Sequence, residues 1–248
     1  MRAKHFISRL VAHRGYQRHY PENTLLALQQ AVDRGVRQLE LDIQLSADQV
    51  PMVYHDIELQ RISGVNGRID QLSAAELSRL GAGECARLGS KYAQEPIPTL
   101  AAVVAWLSKQ PELTLFAEVK EEAVASFGIE QVLAAVLPVL APVADQCVLI
   151  SFDSALLANA RPRWPRLGLI LRRWPPPARQ LAQARPDYLI INQQRIPPGL
   201  SLNKQPLPVM LYEIRSVREG RKWLARGAAL LESFSVGELV TEAKVLDE

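Results

Sequence analysis

Four short stretches of this 248-residue chain place ionisable side chains at or near the end of a β-like run. Residues 10–12 lead into His13-Arg14-Gly15, and the run 39–45 carries Glu40 and Asp42. The run 51–55 ends in His55-Asp56, and 113–120 closes on Glu118-Val119-Lys120. Together they offer two imidazoles, three carboxylates and two cations. Imidazoles exchange protons near neutral pH. Carboxylates hold a hard cation, and arginine or lysine neutralises an anion.

Spacing decides whether these groups can meet. Leu39, Leu41, Ile43 and Leu45 alternate with Glu40, Asp42 and Gln44. The two acids therefore share one strand face, about 7 Å apart along the backbone. The apolar face must cover helices, which turns the acids toward the interior. Leu115, Ala117 and Val119 put Glu118 and Lys120 on the matching face of the next strand. Three carboxylates at one point repel by about 4 kcal/mol per close pair at an effective dielectric near 20. Either some are protonated or a cation binds, and an all-oxygen donor set suits Mg²⁺ or Ca²⁺ better than zinc. Singly, each feature has a bland reading: a solvated strand face, a structural histidine, a surface lysine. Convergence of separate strand ends on one rim favours a site.

The elements that would hold these groups alternate along the chain. A helix capped by Asn23 or Thr24, with Leu25, Leu28, Ala31 and Val32 as its apolar stripe, ends at Gly35. The four residues 46–49 cannot carry a parallel crossover, so 39–45 and 51–55 are expected to form an antiparallel hairpin. His55 then lies off the main sheet. A mostly polar stretch follows, with a helix expected over 73–80 because Ser73 and Glu76 have capping-box spacing. Thr99 can cap the next helix. Later β runs fall at 147–152, 167–171, 188–191, 209–212 and 228–231. Without the hairpin excursion there are eight β runs, which predicts a single-domain (β/α)8 TIM barrel over 1–248, with catalytic groups at the C-terminal strand ends.

Composition narrows the partners. The 48% hydrophobic share suffices for one large core, and no Gly/Ser-rich linker divides the chain. A net charge of +3 is too small to argue for nucleic acid, and the run Arg161, Arg163, Arg166, Arg172, Arg173 lacks interleaved aromatics. Cys85 and Cys147 lack ligand spacing and read as reduced thiols. No signal-peptide pattern or unbroken apolar run of about 18 residues occurs, so no transmembrane segment and a cytoplasmic location are expected. His5 and His19 are expected to be bystanders. The oligomeric state stays open.

The ordered series Ala12-His13-Arg14-Gly15, Pro21-Glu22-Asn23-Thr24, Glu40-Leu41-Asp42, Asp48, Val53-Tyr54-His55-Asp56, Leu59, Arg61, Ile97-Pro98-Thr99-Leu100, Glu118-Val119-Lys120 and Ser151-Phe152-Asp153 closely resembles the glycerophosphodiester phosphodiesterase family. The likeness runs from about Val11 to Asp153. Each piece is weak alone, while the ordered set is highly specific. The resemblance implies a barrel with a small subdomain inserted after the hairpin, at about 59–98. It matches Glu40, Asp42 and Glu118 to metal ligands, and His13 and His55 to the acid/base pair. Arg14 and Lys120 match phosphate-binding groups, and Glu22 and Asn23 match positions that order the metal site. Family reactions cleave glycerophosphodiesters to sn-glycerol 3-phosphate and an alcohol.

The last third departs from that pattern. Tyr212-Glu213-Ile214-Arg215 replaces a Trp-Thr-Val-Asn-like segment, with Arg215 adding a charge where an amide would stand. Glu232-Ser233-Phe234-Ser235 replaces a Thr-Asp followed by a Pro. Neither departure is expected to touch the metal site; both bear on the substrate's identity. Two other functions compete with hydrolysis of water-soluble glycerophosphodiesters. One is a lysophospholipase D-like phosphodiesterase, which needs an apolar groove beside the site. The other is a catalytically inactive barrel that binds a phosphorylated ligand.

Overall fold

The computed structural model describes residues 2–247. Among the described residues nine strands occur in chain order: β1 (Leu10–Ala12), β2 (Gln38–Leu45), β3 (Pro51–Val53), β4 (Thr114–Val119), β5 (Cys147–Ser151), β6 (Leu167–Leu171), β7 (Tyr188–Asn192), β8 (Val209–Tyr212) and β9 (Leu230–Ser233). Eight of them are parallel neighbours, and β1 pairs with both β2 and β9, so the sheet closes on itself. β3 alone is antiparallel, folded back on β2 with Ile43 opposite Val53. The chain is a (β/α)8 barrel carrying a hairpin after its second barrel strand.

Alternation along the strands makes two cores. Val11, Phe116, Val148, Ile150, Ile170, Ile190, Met210 and Leu230 pack together inside the barrel. The intervening residues, such as Leu39, Leu41, Ala117, Leu149 and Leu169, belong to the core beneath the helices. Fully burying an aliphatic side chain is worth about 1.5–3 kcal/mol. A one-residue slip of β2 would exchange its leucines for Glu40 and Asp42 under the helices, so the register is strongly specified.

Thr24, rather than Asn23, caps helix Leu25–Asp33 by accepting from the Ala27 amide. Thr99 caps Leu100–Leu107 in the same way. Ser73 and Glu76 form the expected capping box, but the helix stops at Leu77, three residues short of the predicted Leu80. The segment 59–98 consists of short helices over a small cluster that includes Tyr54, Leu59, Ile62, Ile69, Leu77 and Ile97.

One reading of the later chain changes. β9 begins at Leu230 and runs to Ser233, two residues beyond the expected 228–231. The expected run followed apolarity, whereas Ala228 and Ala229 belong to the turn and the polar Glu232 and Ser233 pair with β1. The stretch 129–146 is, by length and composition, apolar enough to cross a membrane. In this fold its helix Ile129–Leu140 turns Val132, Leu133, Val136, Leu137 and Leu140 into the core.

Gly15 turns the chain after β1 with φ +78°, and a Cβ there would lie 2.5 Å from the Ala27 carbonyl carbon. Gly15→Ala is expected to cost about 2 kcal/mol or more through clash and a left-handed backbone. Urea unfolding of the two proteins measures the difference.

Candidate active site

The C-terminal ends of the barrel strands open on a cleft. His13, Arg14, Glu40, His55, Glu118 and Lys120 line it, together with the apolar Ile150, Phe152, Ile170, Ile190 and Phe234. The histidines, cations and two of the acids named from sequence therefore border one pocket. Asp42 lies just behind, 3.4 Å from the Lys120 ammonium.

Strand pairing brings the acids together. Asp42 stands opposite Glu118 across β2 and β4, and Glu40 is two residues earlier on the same face. One oxygen from each of Glu40, Asp42 and Glu118 lies within 4.8 Å of the others. Glu40 Oε1 and Asp42 Oδ1 are buried without a hydrogen-bond partner. An all-oxygen set with unsatisfied inward atoms fits a hard divalent cation. Lys120 reaches into the same cluster, with Nζ 2.9 Å from Glu118 Oε1.

Burial, then the neighbouring charges of Asp42, Glu232 and Glu118, pushes the Glu40 carboxyl well above its usual range. Burial and Asp42 raise Glu118 too, against the pull of Lys120. Burial also acts to raise Asp42, but Arg14 and Lys120, with His55 and the Asn23 hydrogen bond, hold it well below the carboxylate norm. Asn23 fixes that carboxylate in place: its Nδ2 donates to Asp42 Oδ2 at 2.9 Å, and its Oδ1 accepts from the Asp42 amide at 3.1 Å.

The two histidines are held differently. The His13 ring stacks on Phe234 at 4.3 Å between centroids. Its Nε2 lies 3.8 Å from Glu40 and 4.0 Å from Glu232. Burial, reinforced by Arg14, lowers its pKa well below the usual imidazole value, which favours the neutral ring. His55 instead pairs Nδ1 with Asp56 Oδ1 at 2.5 Å. Burial tends to raise Asp56, but hydrogen bonds from His55 and Arg61 outweigh it and keep the carboxylate ionised. An ionised carboxylate only accepts, so Nδ1 donates to Asp56.

Charged pairs join His55 to the acid cluster. Arg61 grips Asp56 through Nε at 2.6 Å and Nη2 at 2.8 Å, and also donates to both oxygens of Glu22. Glu22 accepts from Arg14 Nη1 at 3.0 Å, and Arg14 Nε sits 3.0 Å from Asp42 Oδ2. The expected phosphate-binding arginine thus already bridges Glu22 and Asp42. Glu84, from the inserted segment, accepts from the Glu22 amide at 2.7 Å.

Sequence reasoning missed Glu232. It is 3% exposed and lines the cleft, and its Oε1 faces His13 Nε2. Burial, then Glu118, lifts its pKa to about 8. The expectation that the 232–235 departure stays clear of the acid cluster is therefore overturned: His13, Glu40 and Glu232 also approach within 4.8 Å. Alternation from the inward Leu230 would have found it had the expected strand continued past Leu231. Tyr212 and Glu213 line the cleft, whereas Arg215 is 72% exposed and pairs with Glu213 at 3.6 Å. The arginine run is largely engaged with neighbours: Arg161 with Asp187, Arg163 with Glu130, Arg172 with Glu121.

A parallel barrel with a charged cleft at its C-terminal rim belongs to the class of barrels that carry enzyme-type sites. The model of the glycerophosphoryl diester phosphodiesterase family matches residues 13–190, and the chain belongs to that family. It is 36% identical over 113 residues to glycerophosphodiester phosphodiesterase 1 of Bos taurus, covering 46% of this chain and 34% of the relative. It is 34% identical over 122 residues to glycerophosphodiester phosphodiesterase of Caldanaerobacter subterraneus, covering 49% of each. The matches thus span between a third and a half of those relatives' length. A phosphodiesterase of Oleispira antarctica, solved in complex with the product sn-glycerol-3-phosphate, superposes with a TM-score of 0.82 at 27% identity over 100% of both chains.

Arg61 generates a stability prediction. Burial works to raise Glu22, but the Arg61 hydrogen bonds and Arg14 lower it below its ordinary 4.5. A depressed carboxylate contributes stability above the unfolded value and loses it as pH falls through the folded one. Arg61→Met is expected to destabilise by about 2 kcal/mol near neutrality, since Arg61 is half exposed and Arg14 remains. The gap from the parent protein should narrow as pH falls below 4.5. Denaturant titrations across that range give the test.

Proposed function

We propose that this chain hydrolyses glycerophosphodiesters to sn-glycerol 3-phosphate and an alcohol, in a metal-dependent reaction with two-histidine acid/base catalysis. The observation that carries this reading is the Glu40, Asp42 and Glu118 cluster, with buried unpaired oxygens, beside two histidines in one cleft of a family member. The fold is read as one barrel domain with 59–98 as an inserted subdomain.

In this scheme Glu40, Asp42 and Glu118 hold Mg²⁺ or Ca²⁺, while Asn23 and Glu22 keep Asp42 and Arg14 in place. The bound cation would neutralise charge on the phosphoryl oxygens, as Lewis acids do. Arg14 and Lys120 add positive charge on the same side of the cleft, where the transition state gathers negative charge. His13, buried and neutral, takes the proton of the glycerol 2-hydroxyl as its oxygen attacks phosphorus. His55, on the hairpin, gives its Nε2 proton to the departing alcohol oxygen as the other P–O bond breaks. Water then loses a proton to His55 and opens the cyclic phosphate, and His13 returns its proton to the 2-oxygen. Both histidines end as they began.

The apolar wall supports a second reading, lysophospholipase D-like action on a lipid with the same linkage. Phe152 and Ile170 belong both to the cleft and to an adjoining groove bordered by Arg172, Arg173 and Arg179. An acyl chain would lie along such a wall; water-soluble alcohols would not need it.

His13→Ala and His55→Ala are each expected to lower kcat by about 10²–10⁴-fold. Near-parental turnover in either variant would sink the scheme. The assay measures sn-glycerol 3-phosphate released from glycerophosphodiesters and lysophospholipids, with and without chelator. Lack of turnover on every substrate would favour a phosphorylated-ligand-binding barrel.

Cation binding has its own readout. Buried carboxyls with raised pKa contribute stability below the unfolded value and lose it as pH rises through the folded one. For Glu232 that loss falls between 4.5 and about 8. Chelated protein should therefore lose thermal stability over this range. Mg²⁺ or Ca²⁺ should raise Tm, and more so toward its upper end. A Tm indifferent to both ions would count against the metal assignment.

A further inference from the structure

The Glu232 carboxyl is an unexplained group in the cleft. It is 3% exposed, yet its oxygens make no hydrogen bond among the described residues. Its approach to His13 Nε2, at 4.0 Å, is beyond hydrogen-bond reach. With no donor from the chain, its acceptor oxygens are open to a molecule in the cleft.

Its place is fixed by rigid elements. Val11 of β1 stands opposite Glu232 of β9, so Glu232 lies one inward layer below His13 on the neighbouring strand. Ser233 Oγ donates to the Ile214 carbonyl at 2.6 Å, tying that end of β9 to the chain after β8. Phe234 stacks on the His13 ring. Three consecutive residues of β9 and its exit therefore set the spacing between one imidazole and one carboxyl.

Chemistry limits the occupant. A phosphoryl oxygen is anionic, and Arg14 and Lys120 offer it a better place than the Glu232 carboxyl. A second cation on His13, Glu40 and Glu232 would take the His13 lone pair that the proposed reaction needs. An aliphatic hydroxyl has neither defect. It donates one proton to the carboxyl and leaves His13 free. His55 is more open than His13, with side-chain exposures of 29% and 13%, which puts the departing alcohol toward solvent and the glycerol arm toward Glu232.

We propose that Glu232 is a specificity-determining residue for the glycerol arm, its carboxyl accepting a hydrogen bond from the terminal hydroxyl while His13 holds the neighbouring 2-hydroxyl. This inference rests on the hydrolytic function and the His13 role proposed above.

The test compares two chromogenic esters. Glyceryl 4-nitrophenyl phosphate has both hydroxyls; 2-hydroxypropyl 4-nitrophenyl phosphate keeps the attacking hydroxyl and lacks the terminal one. The parent protein is expected to prefer the first by about 10- to 100-fold in kcat/KM, the range for removing the partner of a buried carboxyl. Glu232→Leu should bring the ratio to near one, through loss on the glyceryl ester. Glu232→Gln keeps an acceptor oxygen and should retain part of the preference. Should the leucine variant fail to fold, the glutamine variant and the parent's own ratio still decide.

A parental ratio near one, or an undiminished ratio in Glu232→Leu, would overturn the inference while the hydrolytic function stood. An intact ratio with a weakened Mg²⁺- or Ca²⁺-induced rise in Tm would overturn it in favour of a cation-holding role. If the parent cleaved neither these esters nor any natural glycerophosphodiester, the function and the inference would fall together.

Discussion

Like charges crowded into a dry place set the terms for the rest of this structure. Glu40, Asp42, Glu118 and Glu232 converge on one end of a barrel whose interior is otherwise filled by Val, Ile, Leu, Met and Phe. At an effective dielectric near 20, each close pair repels by about 4 kcal/mol. Arg14 and Lys120 are the cations closest to this problem, and both lean on Asp42. The sharing is uneven: one carboxyl is held ionised and the other three are pushed toward protonation. Such a cluster suits a divalent cation, which would remove repulsion that burial has amplified.

The barrel supplies the rigidity that makes this arrangement tolerable. β2 and β4 pair over six registered positions, so Asp42 and Glu118 cannot separate without breaking the sheet. Burial of leucines on the opposite face of β2 opposes any slip that would relieve the charge. The same closure, through β1 pairing with β9, brings His13 to Glu232 although 219 positions separate them in the sequence, from 13 to 232. Stability of the hydrophobic layers thus holds the polar end in a geometry it would not adopt alone.

Much of this was legible because strand alternation is a strict code. Glu40 and Asp42 between leucines, and Glu118 between Ala117 and Val119, could face only inward. The hairpin that carries His55 followed from a loop too short for a crossover. What escaped lay outside the apolar runs or in pairings between distant segments. β9 was read from apolar residues, and its two polar members fell outside the run, taking Glu232 with them. Glu84 and Arg61 act through partners distant in sequence, which no local pattern displays. Arg14 was expected to meet phosphate, and its pairing with Glu22 depends on a turn set by Gly15 and on a left-handed Arg14.

The chain of alternating charges from His55 through Asp56, Arg61, Glu22 and Arg14 to Asp42 gives the two imidazoles different sensitivities. His13 is held by ring stacking and burial, which dissolved ions barely affect. His55 is held at the end of a strut whose outer members, Asp56 and Arg61, are 24% and 45% exposed and open to screening. Ionic strength therefore acts on one side of the cleft and spares the other. Salt would loosen the ring on the hairpin while leaving the ring on the barrel seated.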